Sequence, residues 1–126
     1  MRKTIFLAPV LLLLLILSGC SRSYPRTQIE FGILAAQKGL WDEAIFRWKK
    51  VLQSNPDSAA AHNNLAVAYE KKGLWDDAQK EYEKALELSP KNAAIKANYD
   101  KFKKRMELRE KEKRNEKKNE KKKKSL

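Results

Sequence analysis

Shifted against itself by 34 positions, the sequence superimposes Gly39-Leu40-Trp41-Asp42-Glu43-Ala44 on Gly73-Leu74-Trp75-Asp76-Asp77-Ala78. The register continues through Trp48 and Tyr82, Lys50 and Lys84, Val51 and Ala85, Leu52 and Leu86, and Pro56 and Pro90. A fixed period of this length means that one supersecondary unit is used twice, and such a unit buries its apolar face only against a neighbour. The chain is therefore expected to build a stack, not a shell around one central core.

The unit reads as a helical hairpin. Residues 28–38 and 59–72 carry apolar side chains at helical spacing, and Gly39 and Gly73 fall where a helix end favours a residue tolerant of positive φ. Asp42 and Asp76 are expected as N-caps of the second helix in each pair, and Pro56 and Pro90 close the pairs. Ala44 and Ala78 are small where two helices must approach closely. A fifth helix is expected from about Asn92, with Ile95, Tyr99, Phe102 and Met106 forming an apolar stripe that covers the open face of the second unit.

These positions resemble the tetratricopeptide repeat, with one copy at about 25–58 and a second at about 59–92. The second copy carries Leu65, Ala66, Tyr69, Gly73, Trp75, Ala78, Tyr82, Ala85 and Pro90 at the signature positions. The first carries Phe31, Gly32, Gly39, Trp41, Ala44, Trp48, Val51 and Pro56, with Ala35 where the family prefers Tyr. The resemblance implies an all-α fold, a short α-solenoid of two hairpins plus a C-terminal capping helix. It also implies packing roles for Trp41, Ala44, Trp48, Tyr69, Gly73, Trp75, Ala78 and Tyr82. Two copies and a cap fall short of the three repeats usually needed for independent stability, so self-association across the exposed face of the first repeat is a further expectation.

Charge divides the chain differently. The net charge of +12 resembles a nucleic-acid signature only until it is located: residues 21–100 hold 12 Lys/Arg against 11 Asp/Glu, while residues 101–126 hold 14 against 5. The apolar stripe stops near Leu108, so residues 109–126 are expected to be a frayed, solvated helix or disordered. This tail lacks interleaved aromatics, and no nucleic-acid partner is expected; anionic lipid or an envelope polymer is the alternative partner for it.

The N-terminus is an address. Arg2 and Lys3 precede an apolar run from Ile5 to Leu17 that ends in Leu17-Ser18-Gly19-Cys20. Thirteen helical residues would rise about 20 Å, short of a hydrocarbon core of about 30 Å, which favours cleavage over a permanent span. The last four residues resemble the bacterial lipobox. The resemblance implies removal of residues 1–19, a diacylglyceryl group on Cys20 and a short linker over 20–26 before a repeat domain at 27–108. Cys20 is the only cysteine, so no intramolecular disulfide forms. In Gram-negative lipoproteins an Asp after this Cys resembles an inner-membrane retention signal. Ser21 stands there instead, which implies the outer membrane, facing the periplasm.

Catalytic chemistry is not expected. His62 is the only histidine and lies at a packing position of the repeat, and no second His or Cys completes a metal site. The pairs Asp42-Glu43 and Asp76-Asp77 sit at helix starts, where negative charge suits the dipole. No cofactor or metal follows from these residues. Tetratricopeptide arrays usually bind peptides on the face lined by the first helix of each pair. By repeat position that groove is formed by Ile29, Ile33, Ala36, Gln37, Asn63, Asn64, Val67, Glu70, Lys71, Asn98, Lys101 and Arg105. Some family members clamp a partner's C-terminal carboxylates there. Of that pattern only Asn64 is in place, with Ile29, Ile33, Ala94 and Asn98 at the other clamp positions. The expected function is a membrane-anchored scaffold or assembly factor of the cell envelope with a protein or peptide partner.

Overall fold

The computed structural model describes residues 27–125; the expectations placed on the signal segment, the lipobox and Cys20 lie outside the described residues. Five helices follow one another: α1 (Gln28–Gln37), α2 (Trp41–Ser54), α3 (Ala59–Lys71), α4 (Trp75–Leu88) and α5 (Ala93–Lys124). No strand occurs among the described residues.

The turns inside the two hairpins are copies of each other. Gly39 and Gly73 have φ of 74° and 73°, a left-handed conformation that a side chain disfavours. Gly39 N donates to Ala36 O and Leu40 N to Ala35 O, both at 2.9 Å; Gly73 N and Leu74 N donate to Glu70 O and Tyr69 O at 3.0 and 2.9 Å. Both are the paired bonds of a Schellman ending. The same turns displace the expected caps. Leu40 and Leu74, not Asp42 and Asp76, hold the N-cap positions of α2 and α4, without a side-chain cap bond. The chain leaves each Schellman turn already poised for helix, so the aspartates fall in the first turn, where they still complement the dipole. Elsewhere side chains do cap: Thr27 with Glu30 in a capping box, Ser58 onto Ala61 N, and Asn92 onto Ala94 N and Ile95 N.

Stacking follows the odd-numbered helices. α1 touches α3 and α3 touches α5, whereas α2 and α4 do not meet. The array therefore curves, with α1, α3 and α5 on its inner side. Ala44 and Ala78 are fully buried, and Trp48 and Tyr82 fill the equivalent space in the two hairpins. Gly32 is what lets Trp48 in: a Cβ on Gly32 would stand 2.3 Å from the indole nitrogen. Trp48 Nε1 instead donates to Ile29 O at 3.2 Å.

α5 is a third copy of the first helix of the unit. Its Ile95, Tyr99 and Phe102 stand 34 positions after Ala61, Leu65 and Ala68, and 68 after Thr27, Phe31 and Leu34. Phe102 covers Tyr82 with ring centroids 5.1 Å apart, and Tyr99 lies 6.0 Å from the same ring. In α3 the equivalent Leu65 and Ala68 are buried by the preceding hairpin, but Phe31 and Leu34 in α1 remain 42% exposed because no described element precedes them. Beyond Arg109 the helix runs on to Lys124 with every side chain exposed, so of the two readings of the tail the described residues carry the helical one. Among the described residues no helix is long and apolar enough to cross a membrane.

Position within the array, more than residue type, sets the stability each copy contributes. Phe102→Ala is expected to cost about 3–5 kcal/mol, as for a buried aromatic, and Leu34→Ala, at the same repeat position, under about 1 kcal/mol. Urea unfolding followed by circular dichroism measures both; similar losses would mean that α1 is covered in solution.

Candidate functional site

The inner side of the array holds a concave cavity of about 310 Å³ lined by Ile33, Ala36, Gln37, Trp41, Trp48, Asn63, Asn64, Val67 and Asn98. Helical spacing turns Ile33, Ala36 and Gln37 of α1 and Asn63, Asn64 and Val67 of α3 toward one face. The capping helix adds Asn98. Seven of the groove residues expected from repeat position are thus brought together: Ile33, Ala36, Gln37, Asn63, Asn64, Val67 and Asn98.

The other five, Ile29, Glu70, Lys71, Lys101 and Arg105, lie outside the cavity. Ile29 is half-buried and gives its carbonyl to Trp48. Lys71 and Lys101 are exposed and line no part of it. Arg105 is held by Glu70, with Nη2 donating to Oε2 at 2.9 Å and Nε paired to the other carboxylate oxygen. Its hydrogen bond to Glu70 raises the guanidinium pKa further above an already high value. Of the three cations expected along the groove, Lys71, Lys101 and Arg105, the last is therefore neutralised by an internal ion pair.

Trp41 and Trp48, expected only as packing residues, also floor the cavity. Trp48 is 2% exposed, so its inner face closes the bottom rather than projecting into the groove. The small residue Ala36 is the signal that would have found this floor. It stands at the repeat position of Glu70, and its short methyl lines the cavity beside Trp41 and Trp48.

The polar part of the lining is a chain of amides. Asn98 Nδ2 donates to Asn63 Oδ1 at 3.1 Å, and Asn63 Nδ2 donates to Asn64 Oδ1 at 3.3 Å. Bonding in this order leaves donor capacity on Asn64 and acceptor capacity on Asn98. Those are the complements of a peptide C=O and N–H.

Glu70 ties α3 to α4 and α5. Tyr82 Oη donates to its Oε2 at 3.3 Å. Burial first, then the charge of Glu70 and this hydrogen bond, push the Tyr82 phenol well above its ordinary value. His62 plays a comparable tying role between α3, α4 and the preceding turn, with Nδ1 2.5 Å from Glu81 Oε2 and Nε2 2.8 Å from Pro56 O. Lys72 pairs with Asp42 across the two hairpins. No group of three His, Cys, Asp or Glu side chains among the described residues is arranged to hold a metal ion.

A second cavity, of about 360 Å³, lies between the start of α4 and α5, lined by Asp76, Asp77, Arg109, Glu110 and Lys113 among others. Charges of both signs alternate around it, and Arg109 lies over the Trp75 ring at 5.1 Å. Nothing in it gathers a single chemistry.

A curved stack of helical hairpins with an apolar-floored inner groove is the architecture of a helical-repeat interaction module. The tetratricopeptide repeat model matches residues 29–93, half of the chain, and the protein belongs to that family. Tetratricopeptide repeats generally mediate protein–protein interaction and form non-catalytic scaffolds. A comparison with curated proteins finds no match.

Because the Tyr82 phenol is suppressed only in the folded state, it stabilises the fold below about pH 10 and loses that contribution as pH rises further. Alkaline unfolding is expected to steepen above about pH 10, and Tyr82→Phe to flatten it. Superimposable stability profiles of the two proteins would exclude Tyr82 as the source.

Proposed function

We propose that this protein is a membrane-anchored interaction scaffold of the bacterial cell envelope that holds a partner peptide or protein segment in the inner groove. The observation that carries the reading is the groove itself: Ile33, Ala36 and Val67 over a tryptophan floor, beside a chain of asparagine amides. Apolar pockets would take alternate side chains of a bound segment while the amides answer its backbone. The anchor rests on the sequence alone. The basic and apolar residues before Leu17-Ser18-Gly19-Cys20 resemble a lipoprotein signal, and several acyl chains on Cys20 would hold the domain firmly to a bilayer. If the cell is Gram-negative, Ser21 directs the proposal to its outer membrane.

Two results are expected. In affinity capture from detergent-solubilised envelope, the Ile33→Glu, Val67→Glu variant should lose at least one protein that the parent retains, by about tenfold or more if a central anchor is struck. Equal recovery of every protein by both would move the function off the groove. Cys20→Ser should abolish incorporation of labelled fatty acid and release the chain from washed membranes; unchanged labelling would remove the lipid anchor.

The exposed Phe31 and Leu34 favour a second contact, a copy of this chain seated on the open end of α1. Sedimentation of a fully folded monomer at micromolar concentration would dispose of it.

A further inference from the structure

The tail is written in a four-residue unit. Glu112-Lys113-Arg114-Asn115 is followed by Glu116-Lys117-Lys118-Asn119 and then by Glu120-Lys121-Lys122-Lys123. As one helix, α5 gives this unit a geometry. A residue advances about 100° around the axis, so a period of four drifts by only about 40° per unit. Glu112, Glu116 and Glu120 stay in one stripe. All basic residues of 111–124 except Lys123 fall on the other half of the cylinder, centred near Arg114, Lys118 and Lys121.

This is not how a helix is charged for solubility. Pairing along a helix is best with opposite charges at i and i+4, but within 111–124 only Glu120 and Lys124 stand so, and most such neighbours are alike: Glu112 with Glu116, Glu116 with Glu120, Lys113 with Lys117, Arg114 with Lys118. Among the described residues the one ion pair of this segment joins Lys113 to Glu110 at its start. The repeated unit accepts repulsion inside each stripe and obtains a one-sided cationic face, entirely exposed.

We propose that this face of α5 docks on the anionic headgroups of a phospholipid surface, independently of the groove. Opposite charge on the far side would relieve the Lys–Lys repulsion, and the Glu stripe would point to solvent. No residue of 109–124 is apolar or aromatic, so the helix lies on the headgroups and does not insert. Nucleic acid is the poorer fit. Residues 111–124 hold eight Lys against the single Arg114, point charges without the bidentate fork that reads bases, and have no ring to stack on them.

The test compares the full chain with a variant that keeps composition and net charge but rotates two glutamates out of the stripe, so that the three stand about 100–140° apart around the helix: Glu112→Lys with Lys117→Glu, and Glu120→Lys with Lys122→Glu, Glu116 being kept. Each is partitioned onto phosphatidylcholine vesicles with and without phosphatidylglycerol, and the N-terminal segment common to both proteins cancels in the ratio. The parent should prefer vesicles of about 30 mol % anionic lipid by about tenfold or more, and strong salt should abolish the preference. The rotated variant, and a chain ending at Glu110, should retain about threefold or less. Helicity of the parent should rise on the anionic vesicles. Equal preference in parent and rotated variant would overturn the proposal in favour of net charge alone. No preference in the parent, or complete displacement by duplex DNA at matched phosphate, would overturn the lipid assignment.

Discussion

Each hairpin of this protein leaves one aromatic side chain uncovered, and the stack exists because the next helix covers it. Trp48 is closed over by α3 at Ala68, and Tyr82 by α5 at Phe102. The cover is small in the first case because the indole is large, and large in the second because the phenol leaves more room. Ala44 and Ala78 keep the paired helices close enough for either aromatic to be reached from the next unit. Remove the cover and a hairpin has no other place to bury its apolar face, since solenoid units touch only their neighbours. The capping helix is therefore part of the fold and not an appendage to it.

That constraint acts on the buried positions and leaves the inner row free to vary. Ile33, Val67 and Lys101 occupy one repeat position, and Gln37, Lys71 and Arg105 another, so the inner side changes from apolar to basic as the array advances. Chemistry useful for binding accumulates on positions that the stack does not need. Glu70 is the exception: it serves Tyr82 in the core and Arg105 outside it together, which couples α3 to α4 and α5.

The two ends of the array differ in the same terms. At the first, Phe31 and Leu34 are exposed at positions where Leu65, Ala68 and Phe102 are buried and Tyr99 is half-buried. At the other, α5 outlasts its own packing: Phe102 is its last buried residue, and about 30 Å of helix continue past it. A helix without a packed face is held by local hydrogen bonds alone, so its shape there depends on what the lysines meet.

Periodicity and local hydrogen bonding are properties of residues near one another in the chain, and they were legible from the sequence. The 34-residue repeat, the left-handed glycines at 39 and 73, the helix start at Asn92 and the stripe Ile95, Tyr99, Phe102 all appear as read. The misplaced caps at Asp42 and Asp76 are the instructive local failure: a capping residue was sought where a Schellman turn had already delivered the chain into helix. What only the tertiary structure decided concerns side chains from helices far apart in sequence. Trp41 and Trp48 floor the cavity because α1 and α3 pack side by side above them, and Arg105 is neutralised because α5 brings it to Glu70, 35 residues away. The sequence determined which units form and which faces they bury. The separation and curvature of the stacked helices, which no single unit encodes, decided what the remaining faces place side by side.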